Sequence, residues 1–261
     1  NFEKSLPSKL ANTVENLLKF QNIFLKRYFR IETILGRVSA STGPPGFDFV
    51  FALMGSKEIK NSFVDNGSLK IVSIKEKHVV NGAGRDYTSA RLNSKFVFKY
   101  GRVDVRAKLP QSEGTWPAIW TLGANINELG NYHKDQYGSV GWPSCGEIDI
   151  MEQNGWDKNK LYGTFHWAAP NGSYASYGEV TDLNSSSDFH IYTVEWTKDQ
   201  IKIMVDNQVY TVMNNNDQVP FDNSHYLLLN IAMGGNLGGN VSPGYSSDIM
   251  ELDYVRVFQK K

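Results

Sequence analysis

From residue 65 to residue 258 the hydrophobic positions recur with a period of two rather than 3.6. Asn66-Gly67 is a hairpin-turn pair. It leads into Ser68-Leu69-Lys70-Ile71-Val72-Ser73-Ile74, where polar and apolar positions alternate. Within residues 95–109, Val103, Val105, Ala107 and Leu109 alternate with Arg102, Asp104, Arg106 and Lys108, which predicts a strand with one wet face. Residues 192–196, 201–205 and 208–213, the last two separated by Asp206-Asn207, predict a β-meander. Residues 226–233 are almost wholly apolar and predict a strand buried on both faces; residues 249–258 predict the last strand. Strands at this spacing, joined by Gly and Asn turns, predict an all-β sandwich.

Residues 1–50 follow a different pattern. Val14, Leu17, Leu18, Gln21, Phe24, Leu25 and Tyr28 fall near a 3.6-residue period, so residues 10–35 read as a helix whose later part is basic, the alternatives being a partner-binding segment or a stretch that is not helical. Gly43-Pro44-Pro45-Gly46 then breaks the chain. The expected organisation is an atypical N-terminal segment, 1–50, followed by one β domain, 51–261.

One of the predicted strands carries chemistry. Gly146-Glu147-Ile148-Asp149-Ile150-Met151-Glu152 places three carboxylates within six residues of an otherwise apolar, β-branched run. Burying that much acid is costly unless it faces a polar cleft with a use for it. In a regular strand Glu147 and Asp149 share a face and Glu152 points away. One extra residue, a β-bulge, returns Glu152 to their side. Two outer carboxyls about 5–5.5 Å apart on one sheet face are what a retaining glycosidase needs. The plain alternative is an edge strand with acids on its wet side.

Composition narrows the choice. The 27 basic and 27 acidic residues cancel, so nothing favours nucleic acid or an anionic membrane as partner. Aromatics reach 13%, with 6 Trp and 13 Tyr, a supply suited to stacking on flat sugar faces. The single Cys145 excludes an intrachain disulfide, and no apolar run approaches the roughly 18 residues of a membrane-spanning helix. The chain starts with Asn, with no basic segment and apolar stretch before the domain, which fits a processed protein.

Longer stretches carry a resemblance. They are Tyr87-Thr88-Ser89-Ala90-Arg91-Leu92, Lys99-Tyr100-Gly101-Arg102-Val103-Asp104-Val105-Arg106-Ala107-Lys108-Leu109-Pro110 and Thr115-Trp116-Pro117-Ala118-Ile119-Trp120. Trp142-Pro143-Ser144-Cys145 leads into the acidic strand, and Tyr162-Gly163-Thr164-Phe165-His166-Trp167 follows it. Leu229-Asn230-Ile231-Ala232-Met233-Gly234-Gly235 and Met250-Glu251-Leu252-Asp253-Tyr254-Val255-Arg256-Val257-Phe258 complete the set. In this order they resemble glycoside hydrolase family 16, and within it the laminarinase-like endo-β-1,3-glucanases. The resemblance implies a β-jelly-roll of two curved antiparallel sheets with a concave cleft. It implies Glu147 as nucleophile, Glu152 as acid/base, and Asp149 as the carboxylate that tunes them. Relatives with the extra position held here by Met151 tend to cleave β-1,3-glucan, with mixed-linkage glucan the second choice. No cofactor is implied for catalysis. The implied partner is a β-glucan polymer met by a secreted or cell-surface monomer.

Further roles follow only from the resemblance. Trp116, Trp120 and Trp142 are similar to cleft aromatics, with core packing the alternative; Trp120 suits either. Arg91 resembles a cleft arginine, His166 the histidine near the nucleophile, and Asn230 a buried polar group that needs a partner. A structural calcium would draw on the Gly67 carbonyl, the Asp253 carboxylate and a third ligand from an N-terminal strand. The family's usual opening, a strand with Trp and Asp-Glu-Phe, has no counterpart in residues 1–50; residues 55–59 echo only the cleft loop that follows it. Cys145 has no basic partner in its motif and is expected to be a small buried hydrophobe. The glycines of residues 234–239 lack the Lys-Ser/Thr of a phosphate loop and are expected at the cleft rim. Non-catalytic glucan-binding proteins on this fold typically lose the catalytic glutamates, and this chain keeps them; a transglycosylase remains a third reading.

Overall fold

The computed structural model describes residues 29–35, 51–52, 59–80, 83–128, 131–219 and 221–259. Twelve antiparallel strands follow one hydrogen-bonded path. Its first half is β10 (Tyr174–Asp182), β9 (Lys160–Ala168), β8 (Glu147–Gln153), β7 (Thr115–Gly123), β14 (His225–Met233) and β5 (Ala83–Ser94). Its second half is β4 (Ser68–Val80), β15 (Ser247–Phe258), β6 (Gly101–Lys108), β11 (Phe189–Trp196), β12 (Gln200–Val205) and β13 (Gln208–Asn214). The path folds back on itself: β13 meets β9 and β10, and β11 meets β8. The result is the all-β sandwich that the alternating pattern predicts, with the jelly-roll form that the resemblance implies.

Period-two sequences make these strands because each has an apolar face to bury. In β6, Val103, Val105 and Ala107 are fully buried, while Arg102 pairs with Asp104 and Glu195 on the wet face. That strand begins at Gly101 rather than at residue 95. Gly101 has φ +118°, and a Cβ there would lie 2.2 Å from the Phe258 carbonyl oxygen, so the chain turns into the strand where only glycine fits. The predicted meander is β11, β12 and β13. Its Asp206-Asn207 turn has φ of 49° and 64°, and Asn66-Gly67 has 49° and 82°, the left-handed pairs that tight hairpins demand.

Strand β14 shows why residues 226–233 carry almost no polar side chain. Leu227, Leu229, Ile231 and Met233 enter the main core between the layers. Tyr226 and Leu228 enter a second cluster on the opposite face, with Trp120, Leu122 and Cys145. Cys145 is fully buried, and burial pushes its thiol far above the usual range, as an inert packing residue requires.

The helix expected over residues 10–35 is corrected at its end. Phe29–Leu35 is a strand, β1, antiparallel to β5, with Ile31 opposite Leu92 and Thr33 opposite Ala90; it also pairs β2 (Phe51–Ala52). Arg30-Ile31-Glu32-Thr33-Ile34 alternates polar with β-branched residues, and that local pattern plus the stretch of β5 beyond Thr88 that β4 leaves unpaired outweighs the weak 3.6 period. A strand therefore opens the sheet, with a sequence unlike the family's usual one. The remainder of the expected helix, the breaker at 43–46 and the echo at 55–58 lie outside the described residues.

On the opposite side of the sandwich from the acids, Glu251 ties β15 to β4. It accepts hydrogen bonds from Lys70 and from Ser68 Oγ (2.7 Å), with Lys108 Nζ 3.5 Å away. Those donors, Lys70 first, hold its carboxyl down at about 2. A depressed carboxylate stabilises the fold above its ordinary value, and the contribution is lost as pH falls from 4.5 toward 2. After discounting for solvent, Glu251→Gln is expected to cost about 1–2 kcal/mol at pH 7. The difference from wild type should vanish near pH 2, as read from urea midpoints.

Candidate active site

The three acids come together by the bulge the spacing implies. On β7, Trp120 faces Asp149 and Ile119 faces Met151, which leaves Ile150 without a partner. On β9, Thr164 faces Asp149 and Tyr162 faces Glu152, so Gly163 alone opposes Ile150 and Met151. Ile148 and Ile150 fill the core, Glu147 and Asp149 are buried on the other face, and Glu152 rejoins them there, half-buried.

Each carboxylate has its own partner. Trp142 Nε1 donates to Glu147 Oε2 at 2.8 Å, and Trp116 Nε1 donates to Glu152 Oε1 at 2.8 Å. His166 Nε2 lies 3.1 Å from Asp149 Oδ2. Burial pushes all three acids upward. For Glu147 and Asp149 the neighbouring carboxylates add to the rise, and for Glu147 and Glu152 the indole bonds and His166 oppose it. Groups this close titrate as a set, and the set keeps a proton at pH values where an isolated carboxyl has lost it. Two carboxylates with one-sided indole donors and a shared proton can do general acid and nucleophilic work side by side.

The indole bond to Glu147 favours the ionised form, so its loss has a definite sign. Trp142→Phe is expected to raise the Glu147 titration further and to move the acid limb of the pH–activity curve to higher pH. At the wild-type optimum kcat/KM should fall about tenfold, the worth of one hydrogen bond to a charged group. A pH profile unchanged from wild type would remove Trp142 from this role.

The remaining predicted residues divide. His166 belongs to the site, and its Nδ1 is 2.7 Å from the Tyr174 hydroxyl. Trp142 and Trp116 reach the acids through their bonds to the two glutamates. The short turn at residues 235–238 packs on Trp116, a Cβ on Gly235 falling 3.3 Å from its ring. Trp120 and Asn230 instead partner each other: the indole donates to Asn230 Oδ1 at 2.7 Å, and both are buried. Arg91 is 1% exposed, bonds Glu128 at 2.6 Å and stacks over the Trp120 ring at 4.9 Å. The structure gives Arg91 a supporting place beneath Trp120 rather than an open face toward a sugar.

Sequence reasoning missed three participants. Glu128 accepts from Arg91 and from Tyr226. Tyr174 stacks on His166 with ring centroids 5.8 Å apart and also approaches Trp142 at 5.3 Å. Tyr210 donates to the Ile150 carbonyl at 2.8 Å. None has a local signal: Glu128 sits in the loop after β7, Tyr174 reaches His166 across the β9–β10 hairpin, and Tyr210 arrives from β13 in the other half of the path.

Among the described residues, Glu147, Asp149 and His166 are the group whose donor atoms, all within 4.8 Å of one another, suit a metal ion. Gly67 and Asp253 lie elsewhere. The pairing of Leu252 with Leu69 brings Asp253 toward the β3–β4 turn that holds Gly67, β3 being Ser62–Asp65. Asp253 Oδ2 already accepts from Arg106 at 2.7 Å. One carbonyl and one shared carboxylate fall short of the six to eight oxygens calcium takes, so these two residues alone do not form a complete calcium site.

The model of glycosyl hydrolases family 16 matches residues 55–250. The chain belongs to glycosyl hydrolases family 16. Among solved family structures, the LamA catalytic module of Zobellia galactanivorans is 53% identical, with a TM-score of 0.76 over 78% of this chain and 82% of that one. A LamA variant from the same organism, in complex with laminaritriose and laminaritetraose, is 45% identical, with a TM-score of 0.80 over 90% and 93%. The beta-glucanase of Rhodothermus marinus is 37% identical over 77% of this chain and 71% of its own length. The glucan endo-1,3-beta-glucosidase A1 of Niallia circulans is 36% identical over 77% of this chain, which spans only 31% of that protein. Family 16 hydrolases need no cofactor for catalysis, and they retain the anomeric configuration.

Proposed function

We propose that this chain is an endo-acting retaining hydrolase that cleaves internal β-1,3-glucosidic bonds of laminarin-type glucans by double displacement. The observation that carries the reading is the bulge at Ile150, which sets Glu147 and Glu152 on one face with Asp149 between them. Glu147 attacks the anomeric carbon as Glu152 passes its proton to the departing glycosidic oxygen. The glycosyl–Glu147 ester is then opened by water, whose proton returns to Glu152, so the product keeps the β configuration. Trp142 steadies the ionised nucleophile. Asp149, between the two and 3.1 Å from His166, titrates with them as one set.

The glucan itself is inferred from the relatives named above, one of which binds laminaritriose and laminaritetraose. A polymer of that size supports an extracellular or cell-surface site of action. Residues 51–261 form the proposed catalytic domain, with β1 of the preceding segment added to its sheet edge. The test is a digest of laminarin, lichenan, agarose and carrageenan, followed by proton NMR. Laminarin should release reducing ends fastest, and the first anomer to appear should be β. Faster attack on lichenan would reassign the substrate to mixed-linkage glucan, chains longer than the substrate would indicate a transglycosylase, and an α product would remove the double displacement.

A further inference from the structure

Resting on that reading, we infer that Tyr210 is a positioning residue for catalysis: its hydroxyl holds the bulge that returns Glu152 to the face of Glu147. Tyr210 lies on β13, in the opposite half of the strand path, yet it donates to the carbonyl of Ile150, the residue left unpaired on β8. A further irregularity makes that contact. Tyr210 is itself the extra residue of a bulge in β13, where Val209 and Thr211 oppose the adjacent Met204 and Ile203. A bulge re-aims a side chain, and here both Tyr210 and Thr211 turn toward the facing strands.

The ring passes over Gly163, the one residue of β9 that opposes Ile150 and Met151. A Cβ on Gly163 would lie 2.7 Å from Tyr210 Cε2 and 2.9 Å from Thr211 Oγ1, so glycine is what admits the phenol. Thr211 Oγ1 donates to the Gly163 carbonyl at 3.1 Å, clamping the same strand without touching the bulge. Burial, reinforced by the charges of Glu152 and Asp149, holds the Tyr210 phenol far above its usual range, so it stays a donor throughout the working pH.

A bulge removes a residue from the ladder and leaves its backbone groups to find partners elsewhere. With the hydroxyl gone, the Ile150 carbonyl loses its donor, and residues 150–152 can relax toward a regular strand that swings Glu152 away. A displacement near 1 Å at a reacting group is worth up to about 10²-fold in rate.

The experiment compares Tyr210→Phe with Thr211→Val. Tyr210→Phe is expected to lower kcat on laminarin about 10- to 50-fold while KM stays within about twofold. The same variant should form the glycosyl-enzyme at near wild-type rate from a dinitrophenyl laminaribioside, whose leaving group needs no proton. Thr211→Val, which removes a comparable hydroxyl contact, should keep kcat within about twofold. Equal loss with both substrates, equal loss in both variants, or unchanged kcat in Tyr210→Phe would each overturn the inference. A wild-type protein that hydrolyses no glucan would instead sink the reading on which it rests.

Discussion

Glu147→Ser is expected to lower kcat on laminarin by at least about 10⁴-fold while oligosaccharide binding persists. The serine hydroxyl is too short to take the place of the carboxylate at the anomeric carbon. Reducing-end release and calorimetric titration with a laminari-oligosaccharide separate the two effects. Retained hydrolysis would assign the nucleophile elsewhere. A companion variant, Glu147→Gln, reports on energetics. Burial raises the Glu147 carboxyl well above its ordinary 4.5, so its ionisation destabilises the fold as pH rises from that value and costs nothing below it. Glu147→Gln should therefore melt above wild type at pH 7 and alongside it at pH 4. Equal melting at both would mean that the buried charge costs nothing.

Glu152→Gln is expected to lower kcat on laminarin by about 10²- to 10⁴-fold, because the departing oxygen must then leave unprotonated and no base activates the incoming water. A dinitrophenyl glycoside should still give a rapid burst of phenol, followed by slow turnover that azide accelerates, since azide attacks the glycosyl-enzyme without a base. In wild type, burial holds the Glu152 carboxyl above the usual range, and loss of its proton above that point gives the alkaline limb of the pH–rate curve. That limb should disappear with the aryl substrate. No burst, or a limb that persists with the aryl substrate, would reassign the acid.

Much of the site could be derived from local spacing. Three acids spaced at 147, 149 and 152 within an apolar strand require a bulge if all are to share a face, and the pairing of β8 with both neighbours places it at Ile150. Trp142 and Trp116 were identifiable because their neighbours match family stretches. What those tryptophans do, each donating one N–H to one glutamate, depends on distances that no spacing encodes. Arg91 and Trp120 show the limit from the other side. Resemblance placed Arg91 near sugar and left Trp120 to cleft or core, whereas packing buries Arg91 between Glu128 and the Trp120 ring and gives that indole to Asn230. A residue type announces its chemistry, but only its neighbours decide whether that chemistry meets solvent.

The N-terminal region shows the same division. A weak 3.6 period suggested a helix through residue 35, and the stretch of β5 that β4 leaves unpaired selected a strand for Phe29–Leu35 instead. Edge pairing is a long-range reward that no short window contains.

By itself, then, the sequence determined the alternation that makes the sandwich, the turns at Asn66-Gly67 and Asp206-Asn207, and the acidic strand with its extra residue. These are local because side-chain alternation and turn geometry are set over a few bonds. Tertiary structure decided which groups surround the acids. His166 is set between Tyr174 and Asp149, and Tyr210 arrives from β13 through the gap at Gly163. The first set joins neighbouring strands of one half of the path, and the Tyr210 contact, sixty residues away in sequence, exists only because the curled path folds its other half over them.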